Sequence, residues 1–140
     1  IDGRRVAILI NSNQELDGVG ELLNDLFDAG AVPMVISTKG GTVSVDETEV
    51  SVSRTYLTAR SIEFDAAVVL DPPHNSEVST MLGEFERHKK AIVLADSNAS
   101  SALEYARVKS EQPGIVSVDS PRQAAEPIKK LLASHRVWER

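Results

Sequence analysis

The sequence has no cysteine among its 140 residues. That absence removes disulfides, thiolate nucleophiles, iron–sulfur clusters and thiolate zinc sites together. It suits a reducing compartment, and a cytoplasmic location is expected. Aromatic residues are scarce, at 4%, so the core has to be built mainly from aliphatic side chains. Positive charge is in deficit: 15 Lys and Arg against 21 Asp and Glu leave a net charge of −6 and a pI near 5.0. An acidic surface argues against a general nucleic-acid binder, which must set cations against phosphates. No apolar run approaches the roughly 18 residues of a membrane span, and no charged-then-apolar leader opens the chain, so no membrane partner is expected either. The first residues, IDGRRVAILI, lack an initiator methionine and pass almost at once into a strand-like run. A domain continuing from a longer polypeptide would begin in this way.

What the sequence does have is a set of short apolar runs separated by amphipathic stretches. RVAILIN (residues 5–11), VPMVIS (32–37), FDAAVVL (64–70), AIVLA (91–95) and GIVSV (114–118) read as strands. The first is continuously apolar, as a strand covered on both faces should be. Between the first two, Leu16, Val19, Leu22, Leu23, Leu26 and Phe27 fall on one helical stripe, with Ser12 or Asn13 as N-cap and Gly30 as the stop. Val78, Met81, Leu82 and Phe85 give the same pattern over residues 76–88. Another helix is expected over residues 99–109, and a last one carries Ile128, Leu131 and Leu132 with Pro127 in its first turn. TVSV (42–45) and VSVSRT (50–55) alternate by twos around Asp46 and Glu47, the pattern of a small appended hairpin.

Strands alternating with helices predict one α/β domain over residues 1–140. Its sheet is doubly wound and mainly parallel, with helices on both faces and the hairpin at the edge. In such sheets ligands sit beyond the carboxyl ends of the strands. That rim would be built from residues 11–13, 71–74, 96–98 and 119–121.

The rim offers one arrangement for nucleophilic chemistry: Ser97 attacking, His74 as base and Asp71 orienting it. Ser97 sits in AIVLADSNAS, between Asp96 and Asn98, where a strand turns into a helix. A nucleophile elbow needs glycines beside the strained residue, and here Ala95 and Ala99 stand in those places. Pro72 and Pro73 also remove two backbone donors from the neighbouring loop. Ser97 or Asn98 is therefore read as a helix cap, and no catalytic residue is assigned. His74, His88 and His135 share no ligand spacing, and His74 with Glu77 makes only a loose H-x-x-E, so no metal site is expected.

Gly18-Val19-Gly20 is half of a dinucleotide fingerprint, with Leu23 where the third glycine belongs, and is read as close packing inside the first helix. Asn98-Ala99-Ser100 fits a glycosylation sequon by chance, on the predicted elbow. Arg122, Lys129, Lys130, Arg136 and Arg140 read as a solvated basic face. The single tryptophan, Trp138, follows the last helix within HRVWER and is a candidate anchor to a neighbouring domain, with His135, Arg136 and Arg140 beside it.

With that ending, the chain resembles the C-terminal flavodoxin-like domain of large-subunit haem catalases. The resemblance runs through GRRVAILI, LFDAGAVPMVIS, GGTVSVDETEV, FDAAVVL, FERHKKAIVLADS, PGIVSVDS and HRVWER, in order and over essentially the whole chain. It is similar in turn to the PfpI-like and class I amidotransferase-like superfamily. There a cysteine at the elbow works with an acidic residue from the first strand–helix loop. The resemblance puts the cysteine position at or next to Ser97, the following histidine at Asn98 and the acidic position at about Gly18, so it implies the fold and a degenerate elbow. It also implies a parent enzyme that dismutes hydrogen peroxide at a haem held elsewhere in the polypeptide, with no cofactor in this domain. The expected role is an accessory one, supporting the stability or assembly of a homotetramer through contacts with the catalase core and other subunits. The alternatives are a chaperone-like module binding unfolded clients, as some PfpI-like relatives do, and a stand-alone hydrolase or deglycase.

Overall fold

The computed structural model describes residues 3–10, 18–38, 41–45, 48–56, 58–59, 63–70, 72, 75–88, 90–95, 99–109 and 114–133. Its elements, in chain order, are β1 (Arg5–Leu9), α1 (Val19–Asp28), β2 (Val32–Ser37), β3 (Thr42–Val45), β4 (Thr48–Ser51), β5 (Arg54–Thr55), β6 (Ala66–Val69), α2 (Ser76–Arg87), β7 (Ala91–Leu94), α3 (Ala99–Tyr105), β8 (Ile115–Ser117) and α4 (Ala125–Ala133). One sheet runs in the order β5-β2-β1-β6-β7-β8 with every pairing parallel. Apart from the two-residue β5, its strands follow the 2-1-3-4-5 order of flavodoxin-like folds. The α/β, parallel, helix-covered sheet expected from the sequence is the one observed.

The continuous apolar runs are explained by burial on both faces. Side chains alternate along a strand, so Val6, Ile8 and Ile10 of the β1 segment enter one core with Val19, Leu22 and Leu26 of α1 and Ile128 and Leu132 of α4. Ala7 and Leu9 enter the other, with Val78, Leu82 and Phe85 of α2 and Ala102 and Leu103 of α3. Helices α1 and α4 therefore cover one face, and α2 and α3 the other.

Several details depart from the sequence reading. The N-cap of α1 is Gly18, at φ +89°, rather than Ser12 or Asn13, which lie outside the described residues; Gly18 is thus not inside the helix. Phe27, expected on the buried stripe, is 71% exposed. Leu23, one turn earlier on the same flank, still reaches the core from a partly buried position, whereas Phe27, next to last in the helix, does not. Gly30 does stop the helix: its N–H bonds to Phe27 O and the Ala31 N–H to Leu26 O, the paired bonds of a left-handed helix terminus. Helix α3 ends earlier than expected through the same device, with Arg107 at φ +61° and bonds from Arg107 N to Glu104 O and Val108 N to Leu103 O.

The hairpin exists as β3 and β4, antiparallel from Thr42↔Ser51 to Val45↔Thr48. Its expected second strand is split, because the chain changes partner within two residues. Val52 N still bonds to Gly41 O, whereas Ser53 N bonds to Val35 O, and β5 then joins the main sheet beside β2. A 3-10 turn at Pro121–Gln123, which the periodicity did not announce, precedes α4. Pro127 falls in the first turn of α4, as expected.

Candidate functional site

All main-sheet strands point the same way, so their carboxyl ends form one rim, and the change of chain direction places the crevice between β1 and β6. At that point Ile10 N donates to Ile36 O at 3.1 Å and Leu70 N donates to Leu9 O at 3.1 Å. The sheet pairing therefore continues to the lip of the crevice on both sides of β1. Ala95 and Ala99, both fully buried, bracket the next strand–helix junction, and Ala95 N donates to Val69 O at 2.9 Å. Asp96, Ser97 and Asn98 between them lie outside the described residues, as do Asp71, His74, His135, Arg136, Trp138 and Arg140.

Two side chains stand near the carboxyl end of the sheet: Tyr56, which the sequence analysis did not single out, and Arg122, which it read as part of a solvated basic face. From the α2/α3 side, Tyr56 is 5% exposed and its hydroxyl donates to Ile10 O at 2.6 Å. Burial pushes the phenol well above its ordinary value of 10.0, and the hydrogen bond to Ile10 only partly offsets this. It is a neutral donor that closes off the last carbonyl of the central strand. From the α1/α4 side, the stem of Arg122 packs on Gly18. A Cβ built on Gly18 would collide with Arg122 Cγ and lie 3.2 Å from the Arg122 backbone N. The guanidinium continues outward to Glu21, with Nε 3.2 Å from Oε1; both side chains are more than half exposed, so this pair contributes about 0–1 kcal/mol.

Arg122 is held in place by its own turn. The Asp119 and Ser120 N–H groups both donate to Gln123 Oε1, at 3.0 and 3.1 Å, and Ser120 completes the reciprocal capping box. Arg122 is solvated at its guanidinium, as the basic-face reading expected, while its stem brackets the β8–α4 connection against the start of α1. The sequence signal was Ser120-Pro121-Arg122-Gln123, a capping box with proline at the first position. Tyr56 had no comparable local signal.

Among the described residues the rim offers an ion pair, a buried phenol and capped backbone, and no nucleophile beside a base. No group of three or more His, Cys, Asp or Glu that could hold a metal occurs among them. A shallow groove of about 370 Å³ lies apart from the rim's centre, between β8 and α4, lined by Val116, Glu126, Pro127, Lys130 and Leu131.

Residues 2–140 match the family described as the C-terminal domain found in long catalases. The chain belongs to that family. Over 145 residues, 99% of this chain and 21% of the relative, it is 26% identical to a catalase of Alkalihalophilus pseudofirmus. Over 148 residues, all of this chain and 20% of the relative, it is 26% identical to catalase HPII of Pseudomonas putida. The chain thus spans about a fifth of the length of the curated relatives it matches.

Long catalases imply haem, and neither Tyr56 nor the β8–α4 groove of this domain offers it a ligand. Tyr56 faces the Ile10 carbonyl inside the core, and the β8–α4 groove is lined by neither histidine, tyrosine, cysteine nor methionine.

The Tyr56 bond makes a testable link between this crevice and stability. In Tyr56→Phe the buried Ile10 carbonyl loses its donor, and the chain is expected to be less stable by about 1–3 kcal/mol at neutral pH. The folded state holds the phenol proton more tightly than the unfolded one. This contribution is therefore fully present below the unfolded value near 10 and is lost as pH rises beyond it. Urea unfolding from pH 8 to 11 should show a steeper alkaline decline in the parent chain than in Tyr56→Phe. Parallel curves would mean that Tyr56 is not buried.

Proposed function

We propose that this chain is the non-catalytic accessory domain of a haem catalase, and that it supports the stability or assembly of the subunit while the chemistry takes place elsewhere in the polypeptide. The parent reaction converts two molecules of hydrogen peroxide to two of water and one of oxygen at a haem in the preceding catalase core. Family membership supports the parent. The observation that carries the non-catalytic role is at Gly18, the position the superfamily resemblance assigns to an acidic partner of the elbow nucleophile. Gly18 is left-handed and covered by Arg122, so a side chain there would be strained and would require Arg122 to shift. The elbow itself, with Ser97 between Asp96 and Asn98, is read as degenerate, and the domain as holding no cofactor. His135, Arg136, Trp138 and Arg140 remain proposed interdomain contacts in a cytoplasmic homotetramer.

The test is removal of the whole domain from the full-length enzyme. Peroxide turnover per haem is expected to stay within about twofold, while the thermal midpoint or the tetramer yield falls. Loss of turnover per haem with the tetramer intact would overturn the accessory role. An enzyme unchanged in stability and assembly would overturn the supporting one.

A further inference from the structure

Three large apolar side chains are conspicuously exposed among the described residues: Phe27 at 71%, Val32 at 44% and Tyr105 at 54%. Scattered exposed hydrophobics are ordinary; the position of these three is not scattered. In a parallel α/β sheet each helix runs back against its strand, so helix carboxyl ends and strand amino ends meet at the end opposite the ligand rim. Phe27 is the next-to-last residue of α1, Tyr105 the last of α3 and Val32 the first of β2. All three stand at that opposite end, on both faces of the sheet. Helices α1 and α3 lie on opposite faces of the sheet, so the three residues mark a broad end rather than a single pocket.

The chain also arrives there. Gly3 N donates to Gly30 O at 2.9 Å and Val32 N donates to Arg4 O at 2.7 Å, which fixes the incoming segment against the α1–β2 turn that Phe27 and Val32 flank. Beside it Arg5 N donates to Asp65 Oδ2 at 2.9 Å, with the Arg4 guanidinium 3.9 Å from Oδ1. The end thus has apolar positions with a polar margin, as docking surfaces do. In this family the domain is C-terminal, and the relatives are about five times as long as this chain, so the rest of the polypeptide approaches from the side of Gly3.

We propose that the amino-terminal end of the sheet, carrying Phe27, Val32 and Tyr105, is the surface on which this domain docks to the preceding part of its own polypeptide. The proposal rests on the accessory-domain reading above and adds a surface among the described residues to the terminal contacts which that reading names. The β8–α4 groove and the strand-end rim then face away from the core.

The full-length protein would carry one introduced thiol at a time, F27C, Y105C or E126C, and be exposed to a maleimide, with labelling of each site followed by peptide mass spectrometry. Glu126 opens α4 at the opposite end and has an 81% exposed side chain. The F27C and Y105C sites are expected to label at least tenfold more slowly than E126C in the native protein, and all three alike in urea. Equal native rates would overturn the docking surface and leave the apolar end open to other occupants, unfolded clients among them. The haem absorption band of the same samples separates the two claims. Protected sites without haem would support the docking end and overturn the catalase parent, whereas a haem-bearing protein with unprotected sites would do the reverse.

Discussion

Truncating Phe85 to alanine is expected to lower the free energy of unfolding by about 3–5 kcal/mol. The ring is fully buried on α2 and lies 6.5 Å, centroid to centroid, from Phe64 at a tilt of 52°. These are two of only three phenylalanines in the chain, so in an aromatic-poor core the pair fills volume that aliphatic neighbours do not. The third, Phe27, is exposed and contributes nothing comparable. Phe85 also carries a cation: Lys90 Nζ stands 5.5 Å from its ring centroid, although Lys90 is only 5% exposed. Alanine would remove the ring face as well as the packing, whereas Phe85→Leu keeps most of the volume and should lose about 1.5 kcal/mol or less. Urea unfolding of the purified variants would check this, with the midpoint moving and the slope held. A loss under about 1 kcal/mol for the alanine variant would mean that the second core can collapse around the gap.

Legibility of the sequence followed the range of the interactions involved. The α2 stripe of Val78, Met81, Leu82 and Phe85 was readable because burial on a helix face imposes a period that a single segment displays, and residues 32–37 because a short apolar run marks a strand without one. Gly30 was readable as a stop because the left-handed cap is a local requirement. Arg107 in the same conformation was not, since a non-glycine residue carries no such mark. Phe27 was misplaced because periodicity says which flank a residue occupies and not how far along the helix the core extends.

The site was less legible than the fold. Tyr56 meets the Ile10 carbonyl across 46 positions of sequence, and Arg122 meets Gly18 across more than a hundred, so no window contains either contact. The family resemblance supplied Gly18 as a position of interest. Only the packing of Arg122 gives a physical reason why a carboxylate does not stand there.

Replacing Gly18 by glutamate, the residue type that an active elbow would require, is expected to destabilise the chain by about 2–4 kcal/mol. Two effects contribute. A side chain at φ +89° incurs roughly 1–2 kcal/mol from contact between Cβ and backbone. Displacing Arg122 from its seat adds about 1–2 kcal/mol of overpacking, since the collision is with Cγ, close to a backbone that the Ser120–Gln123 capping box fixes. Alanine at position 18 should suffer nearly as much, because Cβ is the offending atom. The two effects can be separated by a cycle with Arg122→Ala, which removes the Cγ while leaving the backbone conformation of Gly18 as it is. In that background Gly18→Ala should lose mainly the conformational part, since the 3.2 Å approach to the backbone N of residue 122 remains, and the difference between backgrounds, about 1 kcal/mol or more, measures the contact of Gly18 with the Arg122 side chain beyond Cβ. Additive losses would mean that Arg122 moves aside without resistance. The rim could then accept an acidic side chain at position 18, and the principal structural argument for a non-catalytic domain would fail.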